Sequence, residues 1–80
     1  MIQIRYDPEA DAVYAKLREA EGRVTTQQID DVRLVDYDES GAVVGVELLF
    51  VSGGVDLRGL PEAERIAEAM RSFSQLAPSG

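Results

Sequence analysis

Cysteine, histidine and tryptophan are all absent from the 80 residues. Without a thiol or an imidazole there is no disulfide staple, no zinc centre and no thiol nucleophile. The Ser-His-Asp relay is excluded for the same reason. Basic residues are scarce, 8 Lys and Arg against 15 Asp and Glu, which leaves a net charge of −7. Such a surface repels phosphate backbones, so nucleic acid is not expected as a partner, whereas a basic protein would be drawn in at long range. No run approaches the ~18 apolar residues of a membrane span. The start, Met1-Ile2-Gln3-Ile4-Arg5, lacks the apolar stretch of a signal peptide. A cytoplasmic setting, no cofactor and a non-enzymatic role are the resulting expectations.

A chain of this length reads as one domain over 1–80. It buries only roughly 60–65% of its unfolded surface, and a single small core supplies ~3–5 kcal/mol. With disulfide and zinc staples excluded, self-association is the remaining support, most simply as a two-fold homodimer.

Period-two alternation marks the first strand, Ile2 to Tyr6, which ends at Asp7-Pro8. Val13 to Arg18 alternates again. Setting Tyr6 opposite Val13 brings Ile4 to Ala15 and Ile2 to Leu17, all on one face. Val24 to Ile29 is a more polar, Thr-containing third strand, and Val32 to Tyr37 follows the Asp30-Asp31 connection. Asp38-Glu39-Ser40-Gly41 suits a type I turn closed by a left-handed glycine. Val43 to Val51 is the longest apolar run and is expected at the centre of the sheet. Gly53-Gly54 reads as a hinge. Pro61 in a first turn, with Ala63, Ile66, Ala67, Met70 and Phe73 at helical spacing, predicts a helix over about 61–74.

The fold class is therefore α+β: a small antiparallel sheet of four to five strands, built from hairpins or a meander over about 2–52, with one C-terminal helix on one face. The expected core joins Ile2, Ile4, Val13, Leu17, Val35, Val46, Leu48 and Phe50 to Ile66, Met70 and Phe73.

Two blocks carry a family resemblance. Arg5-Tyr6-Asp7-Pro8-Glu9-Ala10-Asp11-Ala12-Val13-Tyr14 and Asp36-Tyr37-Asp38-Glu39-Ser40-Gly41, continued by Val44-Gly45-Val46-Glu47-Leu48, resemble the signature of domain of unknown function 2283. The likeness spans roughly residues 2–51. It implies a small β-rich fold in a bacterial cytosol and an antitoxin-like partnership with a basic protein; it implies no activity. Val32 departs from the glycine that often follows the paired acids in this family, and the segment after Gly54 is an extension.

Candidate chemistry is sparse. Asp36, Asp38, Ser40, Gly41 and Glu47 fall at positions one, three, five, six and twelve of a calcium loop, which would make a Ca²⁺-binding regulatory domain. Strands on both sides, Val44 at position nine and the hairpin turn count against that reading, so no metal is assigned. Asp7, Glu9 and Asp11 could serve an acid-dependent hydrolase, but a thin core leaves little room for the desolvated pocket it needs. Arg5, Lys16 and Arg18, with Tyr14 among them, read as the solvated face of the first hairpin. Strand parity places Leu49, Val51 and Val43, joined by Leu34 and Ile29, on the face away from Val46 and Leu48. Leu34, Val43, Leu49 and Val51 are accordingly the expected self-association residues. The leading expectation is an oligomeric, non-catalytic protein-interaction module.

Overall fold

A computed structural model describes residues 2–72. Five strands and one helix follow one another: β1 (Gln3–Asp7), β2 (Ala12–Lys16), β3 (Thr25–Asp30), β4 (Arg33–Tyr37), β5 (Val43–Leu49) and α1 (Ala63–Arg71). All pairings are antiparallel and the sheet order is β1-β2-β5-β4-β3. The most apolar strand, β5, takes the centre, where it has neighbours on both sides. The order is not a simple meander. After β2 the chain crosses to the far edge, and β5 later fills the gap between β2 and β4.

In the first hairpin Tyr6 faces Val13 and Ile4 faces Ala15. The turn is held by Asp7, whose Oδ1 accepts the Glu9 and Ala10 N–H groups at 3.0 and 3.3 Å. Ile2 and Leu17 lie beyond the ladder but both belong to the core side. The second tight turn follows the expected chemistry. Gly41 sits at φ 87°, and its N–H donates to the Asp38 carbonyl at 3.0 Å.

One face of the sheet supplies Val13, Ala15, Leu17, Val35, Val46 and Leu48 to the core, and Leu60, Ile66 and Met70 close over them. Ile66 and Met70 recur at i and i+4, the spacing that points both to one side of α1. Burying each stabilises the docked helix by about 1.5–3 kcal/mol. The helix starts at Ala63, with Pro61 and Glu62 in the preceding turn. Glu62 reaches back to Arg18 at 2.7 Å and pairs also with Arg65, tying the helix entry to the sheet. Phe73 and the end of the expected helix lie outside the described residues.

Two expectations need correction. Phe50 is not core: it is 64% exposed and adopts a left-handed backbone, φ 55°. The strand ends at Leu49, and the turn that follows swings the next side chain outward. The second correction concerns Val43 and Val51, which pack against the core rather than on the opposite face. In β5 a bulge sets Val43 opposite Tyr37 and Gly45 opposite Asp36, leaving Val44 as the extra residue. An extra residue reverses the alternation, so Val43 joins the core side with Tyr37.

Candidate functional site

Helix α1 covers one face of the sheet and leaves the other open among the described residues. The backbone register writes the composition of the open face. One row runs Arg5, Tyr14, Glu47, Leu34, Gln28 across all five strands. The next runs Gln3, Lys16, Gly45, Asp36, Thr26. Of the four residues expected to mediate self-association, only Leu34 and Leu49 belong here, and each is half-buried.

At the centre, Tyr14 leans from its own row across Gly45. Its hydroxyl donates to Asp36 Oδ2 at 2.8 Å, while Thr26 Oγ1 donates to Asp36 Oδ1 at 2.5 Å. A Cβ on residue 45 would lie 1.8 Å from the Tyr14 hydroxyl oxygen, so only glycine leaves room for the ring. Burial, then the hydrogen bond to Asp36 and the charges of Asp36 and Glu47, push the Tyr14 phenol up to about 12. The group is thus a fixed neutral donor at neutral pH, not a proton shuttle.

The cations expected on this hairpin do gather. Arg5, Lys16 and Arg18 line one cleft of about 430 Å³ with Tyr14, Asp36 and Val44. Their charges are largely committed. Lys16 pairs with Glu19, and Arg18 donates to the Val43 carbonyl and to Glu62. Arg5 has no ion pair among the described residues.

The calcium-spaced residues do not converge. Asp38 spends Oδ1 on the Ser40 N–H, the Ser40 hydroxyl and the Ala42 N–H, and Oδ2 on the Glu21 N–H. Those donors hold its carboxyl down at about 2. Asp36 is engaged by Tyr14 and Thr26, and Glu47 stands in a different row. No group of three acidic side chains among the described residues is arranged to hold a metal ion.

Asp7, Glu9 and Asp11 likewise separate. Asp7 caps its own turn, whereas Asp11 works at long range. Its Oδ1 accepts the Ser52 N–H at 2.9 Å, its Oδ2 the Ser52 hydroxyl at 2.6 Å, and its carbonyl the Val51 N–H at 3.0 Å. This clamp fixes the short 3₁₀ turn over Val51–Gly53, directly after Phe50. Asp11 and Phe50 both adopt positive φ, 53° and 55°. Each such non-glycine residue costs about 1–3 kcal/mol and persists only where its surroundings hold it. Sequence parity had hidden Phe50, since it continues the Val46 and Leu48 alternation. The only local hints were Asp11 in the first block and Ser52 beyond the strand.

The chain matches the model of the family described as protein of unknown function (DUF2283) over residues 3–52, more than half its length, and belongs to that family. That match contains the five strands and the Asp11–Ser52 clamp; α1 lies beyond it. No curated protein and no solved structure matches the chain.

Proposed function

We propose that this member of the DUF2283 family is a non-catalytic protein-interaction module, with Phe50 as the anchor of its contact with another protein. One observation carries the reading: a large aromatic side chain stands 64% exposed on a strained backbone that Asp11 and Ser52 hold in place. Exposing a phenylalanine forgoes its burial, and the left-handed turn adds strain to that loss. Aromatic side chains presented in this way are the usual centres of binding energy at protein interfaces. Leu49 and Leu34 on the open face supply apolar surface for the same contact.

The partner best suited to the surface is a basic protein. A net charge of −7 favours its approach at long range. The polar cluster on the open sheet face keeps that face soluble when unbound. An antitoxin-like pairing is compatible with this chemistry.

A photocrosslinking residue, p-benzoylphenylalanine, replacing Phe50 tests the proposal in cells. A discrete heterologous adduct from position 50, missing when the same group replaces exposed Glu64, is the expected result. Identical adduct patterns from both positions, or none from position 50, would defeat it.

A further inference from the structure

The two edges of the sheet differ. β1 has α1 against it and runs into Pro8, which offers no N–H to an added strand. β3 has β4 on one side and no strand on the other among the described residues, and all six of its residues are exposed. Edge strands are ordinarily guarded by lysine, proline or a bulge within the strand. The stretch Thr25-Thr26-Gln27-Gln28-Ile29 carries no charge and no proline, and its irregularity comes only at the end, between Gln28 and Asp30. Apolar Val24 and Ile29 stand 45% and 42% exposed near the two ends.

We infer that β3 is a self-pairing edge, through which two copies of this chain join antiparallel about a two-fold axis normal to the sheet. The charge distribution selects this arrangement. Arg23 precedes the strand, Asp30 ends it and Asp31 follows it. Antiparallel pairing brings the Arg23 end of each copy to the acidic end of the other, and the Val24 end to the Ile29 end. Parallel pairing would stack Arg23 on Arg23 and acid on acid.

Residues directly opposite one another in an antiparallel pair share a face, so the register must join residues of equal parity. Setting Gln27 opposite Gln27 of the second copy satisfies this over Thr25–Gln28, before the irregularity, and brings the strand ends that carry Arg23 and Asp31 of the two copies together. Asp30 is already held by Arg33 and the Val32 N–H, whereas Arg23 and Asp31 have no ion pair among the described residues. The charge of −7 on each copy opposes association, so the cross-copy pairs decide whether it occurs. The inference extends the interaction-module reading to a second copy of the chain and does not depend on Phe50.

Sedimentation of the full chain over a concentration series tests it, together with amide hydrogen exchange across Thr25–Asp30. Wild type is expected to reach twice the monomer mass, with β3 exchange slowing as concentration rises. Arg23→Asp acts twice in a two-fold pair and should raise the dissociation constant at least about tenfold. The double variant Arg23→Asp/Asp31→Arg should restore dimerisation, an outcome that misfolding cannot produce. Monomer at every concentration, an unchanged dissociation constant for Arg23→Asp, or a dimer whose protection lies outside β3 would overturn the inference. Phe50→Asn in the same series should still dimerise, so a failure of the Phe50 anchor remains distinguishable from a failure of the edge.

Discussion

Tyr14 and Gly45 occupy one space: the phenol oxygen stands 1.8 Å from where a Cβ on residue 45 would be. Glycine in the middle of the longest apolar strand thus has a packing cause. It lets Tyr14 reach across β5 to Asp36 on β4. Both residues lie in the blocks that carry the family resemblance, and the contact joins those blocks.

Gly45→Ala is expected to destabilise the fold by about 2–3 kcal/mol through overpacking. In a Tyr14→Ala background the same substitution should cost much less, a coupling read from a double-mutant cycle in urea. Additive costs would mean that the ring does not press on residue 45.

Alkaline titration follows from the same contact. The folded Tyr14 phenol is raised to about 12 from an ordinary 10. Its contribution is therefore complete below pH 10 and lost as pH rises towards 12, because the unfolded chain releases the proton first. Absorbance of the phenolate should show one tyrosine ionising near pH 12 in the folded protein. In Tyr14→Phe that late step should be absent.

Asp38 governs the acid side in the opposite sense. Its carboxyl is depressed from 3.8 to about 2, first by the Ser40 hydroxyl and then by the Glu21 N–H. Stability from this group is present above roughly pH 4 and falls away as pH drops towards 2. Asp38→Ala should lower the melting temperature at pH 7 and flatten its dependence on pH over that window. An unchanged acid profile would show that the turn does not rely on the charge.

Exposure of Phe50 predicts an unusual tolerance. Phe50→Asn, which suits a left-handed backbone, should change stability by less than about 1 kcal/mol. Ile66→Ala, in the buried interface of helix and sheet, should cost about 2–5 kcal/mol. Thermal or urea unfolding of the two variants provides the comparison. A large loss for Phe50→Asn would return that residue to the core.

Much of the architecture was legible in the residues because local rules and global fold agree there. Alternation in Ile4, Tyr6, Val13 and Ala15 set the first hairpin's register, and Asp38 with Gly41 set the second tight turn. The helical spacing of Ile66 and Met70 identified the face that docks. The β5 bulge was invisible because Val43 and Val44 are the same residue type; which one turns inward depends on pairing with Tyr37 and Asp36. Phe50 was missed because no glycine announces its left-handed turn, and the restraint comes from Asp11, 41 positions before its partner Ser52. Gly45 was a readable signal of close approach, but only the fold shows that Tyr14 is what approaches.

The most direct test of the interaction reading is quantitative capture from host cells with tagged wild type and Phe50→Asn, side by side, at low and moderate salt. One stoichiometric basic protein is expected on the wild type, weakened by salt and lost from the folded variant. Equal recovery on both proteins, or no stoichiometric partner on the wild type at either salt, would contradict that reading.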